Sequence, residues 1–124
     1  MTANDFRRIA LGLEGAVEAS HMNHPDFRVN GKIFSTIHTD HAQGMVKLTP
    51  EQQERMMREH PDVFHPAAGA WGRGGSTMIS FAHATEDEVG EAMTLAWQNL
   101  ARIAKNESGI RRAKAAKIAR TRKG

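Results

Sequence analysis

Residues 26–38 read DFRVNGKIFSTIH, and the pair at their centre decides what kind of fold the chain adopts. Asn30-Gly31 is the strongest short signal for a two-residue hairpin turn, because both central positions of such a turn need positive φ and Asn and Gly tolerate it. Asp26–Val29 and Lys32–His38 are then antiparallel strands. After the polar connection TDHAQ, Gly44–Leu48 reads as the next strand of the same meander. Upstream, AVEASHM alternates Val17, Ala19 and His21 against Glu18, Ser20 and Met22, the period of a strand with one covered face.

Helical signals bracket these strands. Asn4 is placed to cap a first helix, with Asp5 favourable in its first turn and Phe6, Ile9, Ala10 and Leu13 on one stripe. Thr49-Pro50-Glu51-Gln52 combines an N-cap, a proline at the first helical position and Gln at the third, and His60-Pro61 ends that helix. Met56 and Met57 within it read as core contacts. Thr77–Phe81 reads as a further strand. Thr85 to Glu88 forms a capping box, and Val89, Ala92, Met93, Ala96, Trp97, Leu100, Ile103 and Ala104 follow at helical spacing. Trp97 is expected as a core anchor of that stripe. The element order α-β-β-β-β-α-β-α predicts an α+β fold, a two-layer sandwich with helices packed on one face of an antiparallel β-sheet. Ser108-Gly109 offers a helix stop, so we expect one domain over residues 1–108 and a basic, flexible or nascent-helical tail over 109–124.

The net charge of +3 is divided unevenly. From Arg102 onward nine Lys or Arg face one acid, Glu107, a net of +8; the preceding eight cations face thirteen acids, a net of −5. The chain has no cysteine, which removes disulfide and thiolate chemistry. Its first residues, MTANDFRRIALGLEG, carry no apolar run of signal-peptide length, and no segment reaches the ~20 apolar residues of a membrane span. A cytoplasmic monomer with no membrane partner is the expectation.

Motifs for catalysis are missing from the pattern. HPAAGAWGRGGSTMISF, residues 65–81, is rich in glycine, but Gly72-Arg73-Gly74-Gly75 lacks the Lys-Ser/Thr of a phosphate loop. Ser20 and His21 are adjacent on a strand and so point to opposite faces, which argues against a nucleophile–base pair. His21-Met-Asn-His24 and His38-Thr-Asp40-His41 sit in loops or at strand ends and match no established ligand spacing. No enzyme activity, metal or cofactor is expected.

Four blocks together, FRRIALGLEGAVEASHMNHPDFRVNGKIFSTI, GMVKLTPEQQ, FHPAAGAWGRGGST and EAMTLAWQNL, resemble the MmcQ/YjbR family of small bacterial proteins. The resemblance runs from about Phe6 to Ala104 and includes Glu18, His21, Phe27, Arg28, Gly31, Lys32, Phe34, Lys47, Leu48, Pro66, Trp71 and Gly72. It implies a frataxin-like (CyaY-like) α+β domain, described for the family as DNA-binding through a double-wing arrangement of hairpins and loops. The first helix departs from the frataxin pattern: it holds only Asp5 and Glu14, without the acidic ridge used there for iron.

Nucleic-acid binding needs cations for phosphates and benefits from planar groups that stack. Arg28 and Lys32 straddle the hairpin turn, Lys47 lies on the next strand, and Arg73 lies on the Gly-rich stretch beside Trp71. On one face they form a basic patch for DNA; otherwise they are a solvated face paired with Glu18 and Asp26. Arg111, Arg112, Lys114 and Lys117 in the tail would add sequence-independent attraction. The alternative is a small-ligand or protein-interaction module with a pocket lined by His21, Phe27 and Trp71. Trp71 itself has two readings, a ring displayed for a ligand or, as favoured by the glycines around it, a plug that packs inward and seats the loop.

Overall fold

A computed structural model describes residues 1–101 of the 124-residue chain. The tail, with Arg111, Arg112, Lys114 and Lys117, and the boundary expected at residue 108 lie outside the described residues.

The chain opens with α1 (Ala3–Leu11), whose N-cap is Thr2 rather than Asn4. The Asp5 backbone N–H donates to Thr2 Oγ1 at 3.1 Å and the Thr2 N–H donates back to the Asp5 carboxylate at 2.9 Å, a reciprocal capping box. Phe6 and Ala10 turn inward from this helix.

Four strands follow as a meander: β1 (Val17–His21), β2 (His24–Val29), β3 (Lys32–Ile37) and β4 (Gln43–Lys47). Asn30 and Gly31 both take positive φ, 54° and 76°, as the turn between β2 and β3 requires. Pairing between these two strands is not regular. Phe27 faces Ser35 but Arg28 faces Ile33, so Phe34 is an extra residue on β3, a β-bulge. Phe34 and Ser35 are therefore both buried although adjacent in sequence, and the Ser35 hydroxyl is satisfied by the Met45 carbonyl at 2.7 Å.

Next comes α2 (Pro50–Glu59), opened by the expected Thr49–Gln52 capping box. Met56 on it is buried in the core and Met57 packs against that core. Residues 61–76, which the sequence reading leaves as loop, hold β5 (Phe64–Pro66) and a short helix, α3 (Gly69–Arg73). β6 (Ser76–Ser80) completes an antiparallel six-stranded sheet in the order β1-β2-β3-β4-β6-β5. Thr85 and Glu88 then cap a helix, α4, that runs from 86 to the last described residue, 101.

The core lies between one face of the sheet and the helices α1, α2 and α4. Phe27, Phe34, Ile37, Val46 and Ile79 from the strands meet Phe6, Met56, Val89, Met93 and Ala96 from the helices. Each such side chain taken from water contributes roughly 1.5–3 kcal/mol, which makes this layer the main source of stability. Trp97 packs against the same cluster, and its indole N–H donates to the Glu14 carbonyl at 2.8 Å, tying α4 to the α1–β1 connection. Ion pairs of Arg8 with Glu86 and of Arg55 with Glu91 (3.3 Å), together with a 2.9 Å contact between the His60 ring and the Glu88 carboxylate, join the three helices. The sandwich of helices on one sheet face is as expected; α3 alone stands apart from it.

A candidate nucleic-acid interface on the open sheet face

With three helices on one face of the sheet, every second residue of each strand points to the other face. Asp26 pairs with Thr36, Thr36 with Met45, Met45 with Met78 and Met78 with His65, which draws one row of side chains across five strands. At about 4.8 Å per strand the row is about 19 Å long. On its hairpin side runs a second row with Arg28 beside Ile33 and Lys47 beside Ser76. On its other side stand His24 and His38, whose ring centres are 6.2 Å apart. The middle row is mostly neutral or apolar, the hairpin-side row cationic.

The short helix α3 overhangs this face, and its seating is built from three contacts. Gly72 is buried with its Cα facing the Ala67 carbonyl so closely that a Cβ would overlap it. The Gln53 side-chain amide, reaching from α2, donates to the carbonyls of Gly72 (3.0 Å) and Ser76 (3.1 Å). The Thr77 hydroxyl donates to the Gly75 carbonyl at 2.8 Å. The close Gly72–Ala67 approach and side-chain hydrogen bonds to backbone carbonyls thus hold α3 in place, and the Trp71 side chain takes no part in it. The indole is 71% exposed, which corrects the reading of Trp71 as a plug: glycine lets the backbone itself approach the fold, and the ring is left over the sheet.

Beneath the ring is an open groove of about 780 Å³, floored by Ile33, Met45 and Met78 and edged by Pro66, Trp71 and Lys47. The Lys47 ammonium stands 5.7 Å from the centre of the Trp71 ring, within reach of a cation–π attraction. A narrower slot opens between Trp71 and His24, Asp26, Ile33 and Thr36. Arg28, Lys32 and Lys47 surround a further depression beside the hairpin, with Leu100 of α4 at its border. Three of the four cations singled out in the sequence are therefore neighbours, and Trp71 adjoins them. Arg73 sits exposed at the end of α3 and lines none of these hollows.

Their charges are not equally available. Arg28 donates twice to the Asp26 carboxylate, at 2.8 and 3.1 Å, and that hydrogen bonding together with the carboxylate charge holds the guanidinium above its ordinary pKa. The pair rests on a buried acid, so Arg28 is largely neutralised in place. Glu18 pairs with Arg7 at 2.9 Å, not with the hairpin. Lys32, Lys47 and Arg73 have no ion-pair partner among the described residues. On the opposite border, Asp40 is held below the usual carboxylate range, first by the Ala42 backbone N–H at 2.9 Å and further by His38, 3.2 Å away.

The pocket read from sequence is corrected in one member. Phe27 is fully buried on the helix-covered face and cannot line a hollow under Trp71; adjacent strand residues alternate faces, and its phase is that of the core. His21 lies in β1, where its backbone pairs with His24; its side chain lies outside the description. Ile33, Met45 and Met78, which do line the groove, escaped the sequence reading, and His24, which lines it too, entered that reading only as a candidate metal ligand. The signal available was their alternation with the core residues, but alternation alone does not separate a grooved face from a flat solvated one. Among the described residues, no group of three or more His, Cys, Asp or Glu is arranged to hold a metal ion, and no helix is long and apolar enough to cross a membrane.

An α+β domain with one sheet face left open beneath an overhanging aromatic ring is the class of protein this geometry defines. The family model named YjbR matches residues 11–99, and the chain belongs to the YjbR family. The fold is also that of Deinococcus radiodurans protein DR2400, a crystal structure carrying the family-model domain DUF419. The two superpose with a TM-score of 0.66 at 17% identity, over 80% of this chain and 78% of that one. No curated protein matches the chain.

Proposed function

We propose that this YjbR-family protein binds nucleic acid, DNA in the first instance, through the open sheet face. The observation that carries the reading is the pairing of an exposed indole, Trp71, with the Lys47 ammonium, which has no ion-pair partner among the described residues, beside Lys32 and Arg28. Phosphates need cations not already consumed by neighbours, and Lys32, Lys47 and Arg73 meet that need; Trp71 supplies the surface on which a base stacks. Near the end of the described α4, the Asn99 amide donates to the Lys47 carbonyl at 3.3 Å, and the sequence after residue 101 carries a net charge of +8. It adds attraction without sequence preference. No catalytic step is assigned to the face.

Titration of labelled DNA with the full chain over a salt series tests the reading. The logarithm of affinity should fall linearly with the logarithm of salt, by roughly 0.7–0.9 per phosphate neutralised. Lys47→Gln and Arg73→Ala should each flatten that slope. Affinity indifferent to salt and to both substitutions would refute DNA binding by this face.

A second reading, a small planar ligand in the same groove, is favoured by one observation: the apolar-floored hollow of about 780 Å³ has the size of a small-molecule site. Such a ligand would bind with weak dependence on salt.

A further inference from the structure

Resting on the nucleic-acid reading, we infer that the strand this face takes is unpaired, with a base held in the slot between the Trp71 indole and Ile33 and Thr36 on the sheet, and phosphates along Lys32 and Lys47.

Three features of the face carry this. The first is the floor. Ile33, Met45 and Met78, all half-buried, form an apolar floor, with the exposed Pro66 at its edge. A duplex presents phosphates and sugars outward and keeps the faces of its bases stacked, so it covers such a floor only by burying anionic groups against apolar ones, which is costly. An unpaired base brings a flat apolar face and leaves its phosphate at the rim.

The second feature is where Trp71 stands. It is exposed, yet it overhangs a slot whose opposite side is made by His24, Asp26, Ile33 and Thr36, so the ring is one wall of a cleft. A wedge that enters a duplex is inserted between base steps and so must stand clear of its own neighbours. A cleft receives a ring from the other partner instead.

The third is the one-sidedness of the charge. Lys47 edges the groove on its hairpin side, and the depression adjoining it there is lined by Lys32 and the Asp26-paired Arg28. The opposite border carries His24 and His38 with the Asp40 carboxylate 3.2 Å from the His38 ring nitrogen. Two phosphate backbones would need cations on both borders, and the second would meet Asp40. One backbone needs one cationic border, which is what the face provides.

The test compares the full chain's binding to a 12-nucleotide single strand, the blunt duplex of the same sequence and the free mononucleotides, at one low salt concentration, following probe anisotropy and tryptophan emission. The basic tail attracts both strand forms, so the difference between them is the readout. The single strand should bind more tightly and quench tryptophan emission. Trp71→Ala should lower single-strand affinity by roughly 5- to 150-fold, the range of one base–aromatic stack, and abolish the quench. It should leave duplex affinity unchanged, while Trp71→Phe restores most of the loss. Duplex bound as tightly as the single strand, with Trp71→Ala affecting neither, overturns the unpaired-strand inference and leaves DNA binding standing. Mononucleotides bound as tightly as the strand overturn both, in favour of a small ligand. No binding of any of the three also overturns both.

Discussion

The Gln53 amide of α2 donates to the Gly72 carbonyl of α3 at 3.0 Å, a buried side chain holding in place the helix that carries Trp71. Gln53→Leu keeps the volume and removes both of its donated bonds, to Gly72 and to Ser76. Each carbonyl keeps one backbone partner, Gly75 N–H and Ala67 N–H, so the loss should be about 1–3 kcal/mol in total. Urea unfolding measures it. A midpoint equal to that of the parent protein would mean that the glutamine does not seat α3.

Two glycine substitutions should move stability in opposite directions. A methyl group at Gly72 overlaps the Ala67 carbonyl, and Gly72→Ala should cost about 1–3 kcal/mol or more as the backbone parts. Gly90 lies in α4 with open space around its Cα, so Gly90→Ala should stabilise by about 0.5–1 kcal/mol through helix propensity. Paired thermal melts decide this; a rise in melting temperature for Gly72→Ala would contradict the close approach.

The two tryptophans should separate binding from stability. Trp71→Ala should change unfolding free energy by no more than about 0.5 kcal/mol, since the ring is exposed and holds no part of the core. Trp97→Phe should cost about 0.5–1.5 kcal/mol, because it gives up the bond to the Glu14 carbonyl. Denaturation monitored by circular dichroism reads both. Equal losses would place Trp71 among the packing residues after all.

Acid should weaken the α2–α4 junction. The Thr85 hydroxyl donates to Glu88 at 2.8 Å and lowers its pKa, helped by the Thr85 N–H and by His60. A carboxyl depressed in the folded state stabilises the protein above its unfolded pKa and loses that contribution as pH falls through the folded value. Stability should therefore decline as pH drops below the unperturbed value of 4.5. Glu88→Gln should make the decline shallower without removing it, because Asp5 and Asp40 are also depressed. A parallel pair of stability–pH curves would show that Glu88 contributes nothing to the acid limb.

Much of the fold was legible because it is decided by neighbours in sequence. Asn30-Gly31 turns the chain by its own φ preferences, and Thr49–Gln52 and Thr85–Glu88 cap their helices with side chains three residues apart. The stripe of α4 follows from its spacing alone. The capping residue of α1 was misplaced by two positions, because Thr2 and Asn4 are both good caps and only Asp5 reaching back to Thr2 distinguishes them. The brief β5 and α3 were not legible: each is held by partners elsewhere, β5 by β6 and α3 by Gln53.

The sequence by itself determined the α+β layering, the β2–β3 hairpin and the cations on either side of its turn, since each depends on local propensity, periodicity or capping. The tertiary structure decided which faces those residues serve. Strict alternation would put Ile33 and Ile37 on the same side of β3; the bulge at Phe34 sends Ile37 into the core and leaves Ile33 on the groove floor. Trp71 likewise could pack or be displayed as far as local rules go. Gly72 against Ala67, with Gln53 bonded to its carbonyl, seats α3 without the indole, and the ring is left beside Lys47 on the open face.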